Sequence, residues 1–578
     1  MKEKRILVAV GAVAAVLAAC SSNVDGGAGP GAQPGGGNSP GAAGGSTVPG
    51  AGGGGSSVPG AGGTGAGAGT CVPGVPPTSQ IPRMLNRQYD LVVKDLLGVT
   101  AVGANAQPPS GSLYADFTGA MSPDAWRIYQ DVGNQIAHDV MTGPNKTKFI
   151  TCDPAATDCL KNTITAFGRK AFRRPLTDDE VARFMKLGQT TPPGAPADVA
   201  ETTLAAFLVS PSFLLIPELS QTADPSGMGV QLSKYEIASR LSFLLWGSVP
   251  DDALNAAADG DMLQTKAQIL AQATRMIAMR DKTGPLISSF HRDWAQMNNA
   301  NAHWYKAPKD ATKYPMFTAT SYNSFSAELD NFFQEIAYSG GSFKDLFLSN
   351  VAFVNQDNAA IYGLDPSGYT ADLKKVTLDA DQRPGFLTRA GFLASYAHST
   401  TTSPILRGAF MSINILGVNP GPPLDGAAQQ TVDGVFMTQR AYVDALTSKA
   451  ECKGCHIAII NPEGYVFENY DAVGKWQTVD PLGGAIDATA SVTFSTGNTK
   501  QITSVKQMMT EIANTPNTKQ MYATQFVAYG FGRPANANDQ CIVDQLNTNL
   551  AKSDYTVLNL LADLTQADSF RVRVQATP

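Results

Sequence analysis

The sequence predicts a mainly α protein: a multi-helical body followed by a C-terminal helical module, with a few short strands. Three observations carry this. Apolar residues recur at helical spacing in segment after segment, N-capping signals repeat, and stretches that alternate apolar with polar are few. Arg83 to Leu97 has the helical period and stops at Gly98. Cys159 to Phe172 is the next helix, and Pro175 ends it. Thr177-Asp178-Asp179-Glu180 reads as a capping box opening a helix through Met185, and Ser233-Lys234-Tyr235-Glu236 repeats the device before Ile237 to Trp246. Val199 to Leu215 is apolar enough for a core helix. Further helices are expected at 264–280, 283–297, 322–338, 384–397 and 403–416, with a break at Gly417 to Pro423. Gln439 to Glu451 is a helix leading into a cysteine motif. Strands are expected around Ala352-Phe353-Val354 and within Ala485 to Phe494.

The N-terminus reads as an address. Lys2, Lys4 and Arg5 precede an apolar run from Ile6 to Ala19, which suits a signal peptide and is short for a membrane span. Leu17-Ala18-Ala19-Cys20 resembles the lipobox of bacterial lipoproteins, which implies a lipidated Cys20 as the mature first residue, and Ser21 points to the outer membrane. Residues 21–80 are Gly, Ala, Pro and Ser with almost no charge, a composition predicting a disordered tether of about 40 Å. The expected units are 1–20 signal peptide, 21–80 tether, 81–190 N-terminal helical units, 191–375 central helical domain and 376–578 C-terminal region. A net charge of −6 without a long basic run argues against nucleic-acid binding, and the lipid on Cys20 makes the membrane the expected partner.

Seven cysteines remain to be placed. Cys20 takes the lipid. Cys152 and Cys159 flank a turn and suit a local disulfide in an oxidising compartment. Cys71 and Cys541 lie near opposite ends of the folded region and could form a long bridge. Cys452-Lys453-Gly454-Cys455-His456 has the spacing of a c-type haem attachment site. Two thiols one helical turn apart can each add to a haem vinyl group, and the following histidine offers its imidazole to the iron. A thioredoxin-like dithiol would need a preceding strand, and a structural zinc site would need further ligands. A plain Cys452–Cys455 disulfide is the third alternative.

The sixth iron ligand decides the chemistry, because methionine gives an electron carrier and an open position admits ligands. Met508 and Met509 are the candidates just over fifty residues after His456, with Met521, Met437 and His398 behind them. Tyr465, Phe467, Tyr470 and Trp476 are expected either to wrap the haem edge or to pack as a loop over the helical core. Glu468 and Asp471 would meet the propionate side or cap a helix. His291-Arg292-Asp293-Trp294 is read as an amphipathic helix with its charges in water, and His138 and His303 stand alone. No Gly-x-Ser-x-Gly, phosphate loop or paired-carboxylate signature supports a hydrolase or a nucleotide-dependent enzyme.

Five blocks in order carry a family resemblance: LNRQYDLVVKDLLG, AFGRKAFRRPLTDDEV, LSKYEIASRLSFLLWGSVPDDAL, RPGFLTRAGFLASYAHSTTTSPILRGAF and CKGCHIAIINPEGYVFENYDAVGKW. They are similar to a bacterial exported multi-domain family, the domain-of-unknown-function series 1587, 1595, 1592, 1588 and 1585. The resemblance covers nearly everything from about residue 80. It implies a cytochrome-c-like C-terminal module and no settled activity. Asn461-Pro462 stands where that family usually has Asp-Pro. Relatives often carry cysteines in place of Gly417 and Met521, so the resemblance implies one lost disulfide here, with Cys71–Cys541 as the other pair. The functional expectation is an envelope lipoprotein with haem c, acting in electron transfer or haem oxidoreductase chemistry with an unknown redox partner. The alternative is a non-catalytic binding or scaffold lipoprotein.

Overall fold

The computed structural model describes residues 82–100, 121–188, 194–224, 229–297, 308–421, 432–495 and 498–573. The signal segment with Cys20, the 21–80 tether, Cys71 and His303 lie outside the described residues. Among those described, helices dominate and the strands form three two-stranded antiparallel ribbons.

Local chemistry starts the helices where the sequence signals it. Thr177 Oγ1 accepts from Glu180 N at 3.2 Å, and the Glu180 carboxylate accepts from Thr177 N at 2.9 Å. Ser233 and Glu236 repeat the exchange before Lys234–Trp246. Each such cap contributes about 1 kcal/mol. Gly98 closes Asn86–Leu97 in the left-handed conformation, as the stop signal requires.

Two large cores result. The first gathers Asn86–Leu97, Pro123–Thr142, Cys159–Ala171 and Pro196–Leu208 around Tyr89, Phe167 and Phe207. The Cys152–Cys159 disulfide pins a loop to the first turn of one of these helices. The second core runs from Leu232 to Phe570. In it Lys234–Trp246, Lys266–Ile277, Arg280–Trp294 and Ser321–Tyr338 meet the C-terminal helices Pro516–Phe531 and Val557–Gln566. Val230 pairs with Arg573 and Gln231 with Val572, so the end of the described chain returns to the start of this core. Cys541 is disulfide-bonded, and Cys71, its expected partner, lies outside the described residues.

Several expected elements change length. The apolar run from Val199 ends its helix at Leu208, and Pro211 starts a separate turn. The 384–397 segment is helical only at Ala390–Ser395. There Arg389 stays extended, and its guanidinium donates to the carbonyls of Ser349 and Val351. The 403–416 helix is α over Pro404–Phe410 and turns to π over Met411–Ile415. The 439–451 helix stops at Leu446, where Thr447 Oγ1 donates to Val443 O. The expected strands are Val351–Val354, paired with Lys374–Thr377, and Ala490–Ser495, paired with Asn498–Ile502.

The His291–Trp294 expectation is corrected. His291 and Asp293 are buried with Trp294 because Arg280–Trp294 is covered by Lys234–Trp246, Ser321–Tyr338 and Pro516–Phe531. His291 stacks on Phe333 and bridges Ile287 O at 2.8 Å and Tyr522 Oη at 2.9 Å. Burial pushes its pKa down to about 4, so it is a neutral core side chain. Arg87 reaches Asp293 at 3.3 Å from the first core.

Candidate functional site

The cysteine motif stands on its own short helix. Lys449 is extended and starts Ala450–Cys455, which runs into a π turn at His456–Ile460 and then into Asn461–Tyr465. Cys452 and Cys455 are free thiols, both half-buried, and the Cys455 thiol donates to Pro420 O at 3.1 Å. The motif follows a helix rather than a strand. Among the described residues no group of three or more His, Cys, Asp or Glu side chains could hold a metal ion.

A very close helix crossing holds this segment. A Cβ on Gly408 would lie 1.8 Å from Ile460 O, and one on Gly464 would lie 1.9 Å from Pro404 O. Only glycine permits that approach. The π turns at Met411–Ile415 and His456–Ile460 are neighbours at this crossing. Such turns concentrate at functional sites.

His456 is oriented by a directional chain of hydrogen bonds. Thr447 Oγ1 spends its single proton on Val443 O, at 2.8 Å, so toward Asn461 it can only accept. Asn461 Nδ2 therefore donates to Thr447 Oγ1 at 2.9 Å, which turns Asn461 Oδ1 to His456 Nδ1 at 3.3 Å. With an acceptor oxygen facing it, Nδ1 is the nitrogen placed to carry the proton, which leaves the lone pair on Nε2. Burial lowers the His456 pKa, with the Asn461 bond opposing, which keeps the ring neutral at neutral pH.

Below the motif, Glu463 is buried with Ser412 as its partner. Ser412 Oγ lies 3.0 Å from Gly408 O and 2.5 Å from Glu463 Oε2. The Ser412 hydroxyl is the donor to both oxygens, and its bond to Glu463 is the shorter of the two. Burial raises the Glu463 pKa well above the carboxylate range.

The other site expectations fall elsewhere. Met508 and Met509 are fully buried on Val505–Asn514, whose main neighbours are Asp345–Leu348, Asn498–Ile502 and Pro516–Phe531 rather than the motif. Met437 is exposed and Met521 is half-buried. A Cβ on Gly417 would lie 4.0 Å from Met521 Cβ, the separation a disulfide spans. His398 is pushed down to about 4 by burial, then by Lys309 and Arg407.

Tyr465, Phe467 and Tyr470 are core side chains, as the packed-loop alternative expects. Arg440 lies 4.4 Å over the Tyr465 ring, and Trp476 packs edge-on to Tyr470. Glu468 is buried, accepting from Thr402 at 2.9 Å, with Arg407 at 3.9 Å. Burial, offset by Arg407, raises its pKa to about 7. Asp471 caps a turn by accepting from Val473 N and Lys475 N.

The fold and site define a mainly α protein with a C-x-x-C-H segment locked into its C-terminal core. Family models described as proteins of unknown function match in four places: DUF1595 at 159–218, DUF1592 at 232–364, DUF1588 at 383–480 and DUF1585 at 498–570. The chain belongs to the multi-domain family built from this series. No curated protein and no solved structure matches it.

Proposed function

We propose that this chain is an exported lipoprotein, anchored through Cys20, that carries a covalent c-type haem on Cys452 and Cys455. It acts in electron transfer or haem-based oxidoreductase chemistry at the outer-membrane face of the cell envelope. The observation that carries this reading is the Asn461 oxygen set against His456 Nδ1, which favours the tautomer with its lone pair on Nε2. Beside two free thiols one helical turn apart, His456 Nε2 has no hydrogen-bond partner among the described residues and keeps its lone pair available. An iron ligand needs that nitrogen.

The donor set fits the group. Each thiol would add across one vinyl group: a sulfur–carbon bond forms, the thiol hydrogen passes to the other vinyl carbon, and no oxidant is consumed. Ile457, 43% exposed beside the ligand, gives the motif an apolar flank. A bound haem supplies one-electron chemistry at iron, and the protein holds the ligand nitrogen in place. No described helix is long and apolar enough to cross a membrane.

The test is expression in a host with the c-haem maturation system. A pyridine haemochrome band that survives denaturation, lost in a Cys452→Ser/Cys455→Ser variant, is the expected result. A colourless chain whose two cysteines are joined by a disulfide in mass spectrometry would sink the proposal and favour the scaffold alternative.

A further inference from the structure

We infer that Asn461 is a positioning residue that sets how strongly His456 donates to a bound haem iron, an inference resting on the haem reading above. It follows from the direction of the hydrogen bonds and from the kind of acceptor at their end. The relay Val443 O, Thr447 Oγ1, Asn461 Nδ2 and Oδ1, His456 Nδ1 runs one way only, because the Thr447 hydroxyl has one proton to give.

Asn461 is 1% exposed, and Thr447 is buried as well, so solvent does not compete for the amide. The residue that meets the outer nitrogen of a metal-bound histidine fixes ring orientation and tunes ligand basicity.

Asn461 supplies a neutral carbonyl oxygen. A carboxylate there would draw the Nδ1 proton outward, enrich Nε2 in electron density and favour oxidised iron. A neutral amide withholds that push, so the site is built toward the higher-potential side of what the same geometry could give. Asn461 needs no contact with the iron to act. It works through the histidine.

The experiment uses the full chain matured with haem and reads a redox titration followed optically. Asn461→Asp should lower the midpoint potential. Asn461→Leu, with no acceptor, should raise it and broaden the ligand-sensitive part of the spectrum. Because a buried substitution can impair folding, Thr447 supplies a second pair of variants. Thr447→Val frees the amide to turn its NH2 toward His456 and should raise the potential, whereas Thr447→Ser keeps the relay and should restore the native value. Midpoints that stay at the wild-type value while only the melting temperature falls would overturn the inference and leave the haem reading standing. A wild-type chain that never attaches haem would overturn both.

Discussion

At the residue scale, the buried carboxyl of Glu463 makes the most direct claim on a measurement. Burial pushes its pKa well above the carboxylate range, against the Ser412 hydrogen bond, and so favours the protonated form in the folded chain. In the unfolded chain the same carboxyl titrates near pH 4.3. Above that pH the unfolded state gives up a proton that the folded state retains. Stability therefore falls as pH rises, with a slope approaching about 1.4 kcal/mol per unit until the folded group itself ionises. Glu463→Gln keeps a donor for Ser412 and has nothing to titrate. Urea denaturation at pH 5, 6 and 7 should show the variant gaining on the wild type at each step. Curves that run parallel across this range would show that Glu463 is already ionised in the folded chain.

At the element scale, the Gly408 and Gly464 crossing positions the whole motif. A methyl group on Gly408 would enter the carbonyl of Ile460, and neither backbone can yield without unseating the π turn that carries His456. Gly408→Ala should cost about 3 kcal/mol or more, in the range of severe overpacking, and, on the proposed haem reading, reduce haem attachment in parallel. A variant with native melting temperature and full haem loading would show that the crossing is softer than its geometry implies. Such close approach was not legible in the sequence, because a glycine in a helix pattern does not name the strand of backbone it will meet. The cysteine motif was legible, since its chemistry lies in a five-residue spacing, and so were the Thr177 and Ser233 caps, which are closed within three residues. The Asn461 relay was not, because Thr447 is 14 residues away and joins only once the 439–451 helix has broken. His291 was misread for a related reason. Periodicity marks the apolar stripe of Arg280–Trp294 but cannot show that Pro516–Phe531 will cover another side of it.

At the scale of the whole molecule, the matched families divide the chain differently from its cores. The DUF1592 segment begins the second core at Leu232 and the DUF1585 segment completes it at Phe570. Lys266–Ile277 packs along Val557–Gln566, the Gln566 amide donates to Lys266 O, and Arg240 donates to the carbonyls of Ser569 and Phe570. These contacts span about 300 residues, and neither side buries its apolar face without the other. Buried apolar surface is the largest favourable term in folding, at roughly 25 cal/mol per Å², so loss of the last helices exposes more than marginal stability can absorb. A chain ending at residue 495 should lose cooperative unfolding not only near the cut but also around Trp246 and Trp294, both of which are buried in this core. Fluorescence and near-ultraviolet circular dichroism during urea denaturation provide the check. One sharp transition in the full chain and a broad, low-amplitude one in the truncated chain are expected. A truncated chain that kept the sharp tryptophan transition would establish the 232–364 segment as an independent folding unit, with the C-terminal helices docked onto it rather than built into it.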